Sequence, residues 1–274
     1  MDLGTARILL TGGAGGIGGA IAEALLAKGA AVLLVDMNEL ALQRFVSERL
    51  AQYGDRVGTL SANLTRADDR AQVSAQAQQF HGGINVLINN AGVSHFRLLD
   101  EQSPEAIDLA LAVNLQAPIH LCRLLLPHLR SQAAAHILNT GSVFGSIGYP
   151  GYAVYSATKF GMRGFSEALR RELGDSTVRV HYLAPRATRT GINTAEVEQM
   201  NSELGVAMDP VATVAAAACR ILETEASETV VGWPEKLFAR VNGVLPGLVD
   251  KAIVKQLAII RRYAAIKPAT KPSA

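Results

Sequence analysis

The 274-residue sequence predicts an α/β fold: a doubly wound parallel sheet of about seven strands with helices on both faces, extended at the C-terminus by an amphipathic helical segment. Three observations carry that expectation. Short apolar, branched runs alternate with longer helix-like stretches; a glycine-rich turn joins the first run to the first helix; and no repeat or low-complexity linker divides the chain. In chain order "RILL", "AVLLV", "RVGTLS", "NVLIN", "HILNT" and "VRVHYL" read as strands, with "ETVVGW" as a last one. Near-continuous apolar runs of this kind belong to strands covered on both faces, which is the situation in a parallel sheet. The expected organisation is one domain over 1–234, a helical extension over 235–265 packed on the domain or on a partner subunit, and a Pro-rich polar tail over 266–274 expected to be disordered.

Composition narrows the function classes. A formal net charge of +2 with 18% charged residues offers no field suited to a nucleic acid. Cys122 and Cys219 lie far apart in apolar, helix-like surroundings, a pattern of buried thiols rather than of a disulfide, and no metal site is expected. The first strand begins within a few residues of the N-terminus, and no run of about 18 uncharged apolar residues occurs. A cytoplasmic protein without leader or membrane span is the expectation.

The stretch "TGGAGGIGG", Thr11 to Gly19, sits between a strand and a helix, and its glycines fit two registers: Gly13, Gly15 and Gly18, or Gly12, Gly16 and Gly18. In either register, glycines let a pyrophosphate reach backbone N–H groups at a helix N-terminus. Asp36 closes the second strand about 20 residues on, where a carboxylate accepts hydrogen bonds from an adenosine ribose. A 2′-phosphate about 4 Å from that carboxylate would meet repulsion of order 4 kcal/mol per unit charge at an effective dielectric near 20. NAD(H) is therefore expected over NADP(H).

Farther along stand "NNAG" (Asn89–Gly92), "VNL" (Val113–Leu115), "NTGS" ending at Ser142, and "YSATK" (Tyr155–Lys159). With "TGGAGGIG" these resemble the short-chain dehydrogenase/reductase family, in order and approximate spacing, up to about Trp233. The resemblance implies a Rossmann-like domain, a homodimer or homotetramer, and a nicotinamide nucleotide held by Gly12, Gly15, Gly16, Ile17, Gly18, Asp36, Met37, Asn63, Leu64, Asn90, Ala91, Gly92, Tyr155, Lys159, Pro185, Thr188 and Thr190. It also favours the Gly12, Gly16, Gly18 register and implies that Asn114 holds a water linking Lys159 to solvent.

The residues support the chemistry on their own terms. Tyr155 and Lys159 are four apart on a predicted helix and share a face. Lowering a tyrosine by two to three pKa units takes roughly 3 to 4 kcal/mol, for which Lys159 is the nearby cation. Ser142, at a strand end, is placed to donate to a substrate oxygen. The expected activity is interconversion of a secondary alcohol and a ketone on a small to medium, largely apolar substrate. The alternative is an NAD(H)-binding sensor or scaffold of the same fold without turnover.

Two departures from the family pattern stand out. Asn63 replaces an aspartate, and its carbonyl is expected to accept from the adenine amino group. In "APRATRT", Pro185 and Thr190 match, but Arg186 stands where glycine is usual. It either reads an anionic group on the substrate or points to solvent or packs over the cofactor. Residues 191–208 occupy the place of a substrate lid. His95, Phe96, Phe144, Tyr149 and Tyr152 are candidate pocket walls. In the extension, Leu248, Val249, Ala252, Ile253, Leu257 and Ile260 recur at helical spacing with Lys251, Lys255 and Arg262 on another face, a basic amphipathic helix. Packing on the chain or a partner is its first expected role, roofing the pocket the second, and contact with a membrane surface the third.

Overall fold

The computed structural model describes residues 1–265; the expected tail over 266–274 lies outside the described residues. Seven parallel strands, β1 (Arg7–Thr11), β2 (Ala31–Asp36), β3 (Val57–Ser61), β4 (Val86–Asn89), β5 (Ala135–Thr140), β6 (Val178–Ala184) and β7 (Glu228–Val230), form one sheet in the order β3-β2-β1-β4-β5-β6-β7. The connecting helices are α1 (Gly16–Ala27), α2 (Glu39–Phe45), α3 (Ala67–Gln79), α4 (Pro104–Leu111), α5 (Ala117–Arg130), α6 (Ala153–Glu172), α7 (Ala195–Glu203) and α8 (Val211–Thr224).

The two-residue period of each strand splits the core in two. Ile8, Leu10, Val32, Leu34 and Ile88 face a layer with Ile21 and Leu25 of α1 and Val214 and Ile221 of α8. Leu9, Leu33, Val35, Leu87 and Ile137 face the opposite layer, with Val73 of α3, Leu121 and Leu125 of α5, and Leu169 of α6. Both thiols are buried, and loss of solvation pushes Cys122 up to about 12, so neither is a ready nucleophile at neutral pH. The continuous helical stretch Pro104–Arg130 is long and apolar enough by composition to cross a membrane. In the fold its apolar face, including Leu121, Leu125 and Leu129, lies against the sheet.

The extension is not one helix. It folds as α9 (Glu235–Val244), α10 (Pro246–Val254) and α11 (Leu257–Ala264). Pro246 cannot continue α9 and instead opens α10. Val249 and Ile260 are buried, whereas Leu248, expected on the same stripe, is 59% exposed. Ile260 and Ala264 of α11 pack with Val197 and Met200 of α7 in a third apolar cluster, and both Arg262 and the Tyr263 hydroxyl bond Glu203.

Candidate active site

Sheet order reverses between β1 and β4, and in such sheets the crevice beyond the strand ends at the reversal is where ligands bind. The two turns there are stitched together. The Thr11 hydroxyl accepts from the N–H groups of Asn90 (3.0 Å) and Ala91 (3.1 Å), and the Asn90 side-chain amide donates to Thr11 O (3.2 Å) and Gly12 O (3.3 Å). Gly12 has φ +70°, and a Cβ there would stand 2.9 Å from the Ala91 backbone; a Cβ on Gly18 would stand 2.0 Å from Gly12 O. At Gly13 φ is not positive, and an added Cβ would meet only the Leu34 side chain. Steric demand therefore falls on Gly12 and Gly18, with Gly16 at φ +56° held in the left-handed region, whereas Gly13 carries no such demand. Helix α1 begins without a side-chain cap, so its first N–H groups face the cavity and suit an anion.

One cavity of about 930 Å³ runs from this turn across the strand ends. Gly12, Gly15, Gly16, Ile17, Gly18, Asp36, Asn90, Ala91, Gly92, Pro185, Thr188 and Thr190 line it, as do Ser142, Tyr155 and Lys159. Asp36 takes one backbone N–H on each oxygen, Ala14 at 3.1 Å and Asn38 at 3.2 Å, which aims the carboxylate and leaves it lone pairs for ribose hydroxyls. These residues fit a dinucleotide: a cradle that admits only glycine, an open helix N-terminus and an acid at the second strand end.

Three expected nucleotide contacts are not formed by the cavity lining. Met37 points to solvent and is 71% exposed, and Leu64 is buried against the core. The Asn63 side-chain oxygen accepts from both the Thr65 N–H (3.1 Å) and the Thr65 hydroxyl (2.8 Å), so a local turn occupies the acceptor expected to meet adenine.

At the other end Tyr155 and Lys159 project from α6 beside the turn that follows β5. Lys159 is buried, its Nζ donates to Thr140 O at 3.0 Å, and it lies 5.6 Å from the centre of the Tyr155 ring. Burial lowers Lys159 to about 8. Burial also raises Tyr155 to about 12, opposed by a hydrogen bond with Ser142. This reverses the expected direction for the tyrosine: loss of solvation penalises the phenolate more than the neighbours offset. The Ser142 hydroxyl accepts from Phe144 N–H (3.1 Å), which leaves its own proton to point into the cavity.

Asn114 sits on a wide helical turn between α4 and α5. Its side-chain oxygen accepts from Val93 N–H (2.8 Å), and its amide donates to Val93 O (2.8 Å) and the Thr158 hydroxyl (3.2 Å). The side chain thus holds the loop after β4 against α6. Of the alternatives open for Arg186, the structure places it at the cavity wall with its charge already met. Its guanidinium grips Asp209 in a bidentate pair (2.9 and 2.7 Å) and bonds Trp233 O (2.8 Å) and Glu235 (3.1 Å). Two carboxylates around one cation leave no positive potential for an anionic substrate, so Arg186 is a brace between the loop after β6 and the start of α9.

Phe144, Tyr149 and Tyr152 line the cavity; His95 and Phe96 do not. Phe96 is buried against Tyr152 with ring centres 5.0 Å apart, and His95 Nδ1 is buried without a partner. Val197 and Met200 of α7, inside the stretch expected as a lid, line the cavity, as do Val249 and Ile253 of the stripe whose second expected role was to roof it; Phe238 of the extension also lines it and was not singled out in the sequence. The helical spacing of Val249 and Ile253 marked a stripe to be buried but did not choose between packing and roofing the pocket. Tyr149 donates to Gln256 (2.9 Å) and Asn242 to Ser146 O (2.8 Å), so the extension is tied to the loop after Ser142.

A doubly wound sheet with a dinucleotide cradle and a Ser–Tyr–Lys cluster in one cavity defines a nucleotide-dependent oxidoreductase. The chain belongs to the short-chain dehydrogenase family, whose model matches residues 6–201. It is 30% identical over 84% of its length to 2,3-dihydroxy-2,3-dihydro-p-cumate dehydrogenase of Pseudomonas putida, covering 88% of that protein. To D-beta-hydroxybutyrate dehydrogenase of Cupriavidus necator it is 29% identical, over 73% of this chain and 78% of that one. Among solved structures, a metagenomic short-chain oxidoreductase in complex with NADP superposes with TM-score 0.69 at 30% identity, covering 82% of this chain and 96% of that one. The fold is shared over the whole of both chains with a Burkholderia phymatum short-chain dehydrogenase/reductase in complex with NAD, at TM-score 0.80 and 21% identity. The family is one of oxidoreductases acting on the alcohol–ketone couple.

Proposed function

We propose that the chain is an NAD(H)-dependent oxidoreductase that interconverts a secondary alcohol and a ketone on a small to medium, largely apolar substrate. The observation that carries this reading is a single cavity with Asp36 at one end and Ser142, Tyr155 and Lys159 at the other, walled by Phe144, Tyr149, Val249 and Ile253. Among the described residues lining it, the cations are Lys159, at the catalytic end, and Arg186, already held by two carboxylates. Neither is free to meet a 2′-phosphate beside Asp36, which supports NAD(H) over NADP(H). Relatives whose names state an alcohol or diol substrate support the reaction class.

When bound, the nicotinamide supplies or accepts the hydride. The chain handles the proton. Tyr155, held protonated by burial, gives its phenolic proton to the carbonyl oxygen during reduction and takes it back during oxidation. Ser142 donates a second hydrogen bond to the same oxygen as negative charge develops there. Lys159 has a value near 8, so it exchanges protons at neutral pH, and as the ammonium beside the Tyr155 ring it stabilises the phenolate. Val197 and Met200 of α7 close the apolar wall and keep water from the reacting carbon.

A panel of secondary alcohols and ketones followed by NADH absorbance tests the proposal, run in parallel with NADPH. Turnover of apolar members with a preference of at least about tenfold for NAD(H) is expected. Cofactor binding without turnover of any member points to the sensor alternative, and equal efficiency with the phosphorylated cofactor overturns the role of Asp36.

A further inference from the structure

Helices α9 and α10 form a hairpin whose inner face walls the cavity through Phe238, Val249, Ala252 and Ile253. Its outer face is different in kind. The six consecutive residues Gly243–Leu248 at its tip are all exposed and carry no charge, and Val244, Leu245 and Leu248 are 78%, 54% and 59% exposed. Leu237 (49%), seven residues before Val244, continues the same face of α9, and Val254 (62%) is exposed near the end of α10. By helical spacing Arg240 stands four residues before Val244, and Lys251 and Lys255 stand three and seven after Leu248. With Lys236 these cations pair with no carboxylate among the described residues. Of the two acids on the hairpin, Glu235 is held by Arg186, which leaves Asp250 as its uncommitted carboxylate.

We propose that the α9–α10 hairpin docks the protein on an anionic lipid surface, its tip entering the headgroup–acyl boundary and its four cations facing lipid phosphates and carboxylates. Charge decides between the possible occupants. A second copy laid on this face would bring two sets of unpaired cations together, whereas an anionic bilayer attracts each Lys or Arg by about 1 kcal/mol near the surface. Shape agrees: a convex apolar turn collared by basic residues suits insertion into a soft boundary, where buried apolar area adds to the electrostatic attraction. The docked element is also coupled to the cavity, since Asn242 holds Ser146 O and Gln256 holds Tyr149. An apolar substrate dissolved in the bilayer would then reach Tyr155 past Phe238 and Ile253; this last consequence rests on the proposed function, whereas docking does not.

The test uses the full chain and unilamellar vesicles of phosphatidylcholine alone or with phosphatidylserine, with no substrate or cofactor present. The chain has a single tryptophan, and Trp233 lies at the base of the hairpin, 65% exposed, so its emission reports docking. Co-sedimentation with the phosphatidylserine vesicles, a blue shift of Trp233, and loss of binding at high salt are expected. The pair Leu245→Asp with Leu248→Asp, and separately Arg240→Glu with Lys251→Glu, should each weaken partition at least about tenfold. None of these four residues lines the cavity, so cofactor binding and turnover of a water-soluble substrate should stay unchanged in both variants. Absence of binding, equal binding to phosphatidylcholine alone, or unaltered partition of the variants overturns the proposal. So does light scattering that shows a larger species abolished by the Leu245 and Leu248 substitutions, which would assign the face to a second copy.

Discussion

The two ends of the cavity are built by opposite means. At the nucleotide end, contiguous chain does the work: β1, the glycine turn, α1 and β2 follow one another, and the decisive groups are backbone N–H, the space left by missing side chains, and Asp36. At the substrate end, side chains converge from β5, α6, α7, α9 and α10, more than 100 residues apart in places, as in the Tyr149–Gln256 bond. A site made of backbone within one supersecondary unit is legible and intolerant of change. Where side chains from separate helices meet, the sequence names some of the participants, as with Tyr155 and Lys159 on α6, but not which distant side chains stand opposite them, and those parts are replaceable one at a time.

The contrast is sharpest at the point where both ends serve one reaction. Tyr155→Phe removes the proton but not the ring, so turnover should fall by roughly 10³-fold or more while NADH binding, read by fluorescence titration, stays within about twofold. Retained turnover would move the acid–base role elsewhere. Gly18→Ala attacks the other end, where the new Cβ meets the Gly12 carbonyl at 2.0 Å and only backbone movement can relieve it. Loss of NADH affinity by about 100-fold, together with a lowered melting temperature, is expected; unchanged affinity would show that the cradle is not where the pyrophosphate lies.

Lys159 gives a pH test of the substrate end. Its folded value, about 8, lies below its ordinary 10.5, so the folded state resists the proton. The destabilisation is complete below pH 8 and disappears as pH rises from about 8 to about 10.5, where both states lose the proton. Cys122, pushed up to about 12, acts in the opposite sense above about 9, so the Lys159 contribution is read by urea unfolding as the difference between the unaltered chain and Lys159→Met: that difference should move in favour of the unaltered chain as pH rises across the window, by up to roughly 3 kcal/mol. A difference that moves the other way between pH 8 and 10 would contradict the sign. Tyr155, raised to about 12, acts in the opposite sense and only above about 10.

Smaller effects test how separable the side-chain contacts are. Arg186→Met leaves Asp209 and Glu235 without their cation, so a loss of about 2 kcal/mol in unfolding free energy is expected. KM values for matched anionic and neutral substrates should move together; selective loss for the anionic one would restore Arg186 as a substrate-reading group. Tyr149→Phe removes the bond to Gln256 and should cost about 1 kcal/mol, seen as earlier proteolysis within α10 while the core resists.

Strand order of appearance, the glycine turn, Asp36 and the Tyr155–Lys159 pair were all legible in the sequence, because each depends on spacing within one or two consecutive elements. Apolar runs buried on both faces announce a parallel sheet whatever packs on them. The side-chain oxygen of Asn63, expected to meet adenine, accepts instead from Thr65, two residues on, a local turn that its position in the family pattern did not announce. His95 and Phe96 sit beside the site in sequence yet outside the cavity, since Phe96 turns back to pack on Tyr152. For Arg186, an unusual residue at a family position was visible but its partners were not: Asp209 and Glu235 lie 23 and 49 residues away. The extension was visible as an apolar stripe, but Pro246 breaks it into separate helices and turns Leu248 outward while Val249 faces in.

By itself, then, the sequence determined a doubly wound sheet, a glycine turn with its acidic partner Asp36, and the Tyr155–Lys159 pair to which the proposed proton transfer is assigned, since local spacing and the period of burial fix those. Only the tertiary structure decided that α9 and α10 wall the cavity on one face and stand bare on the other, and that Arg186 is bound by carboxylates. Those outcomes depend on which distant side chains meet, and no local pattern encodes that.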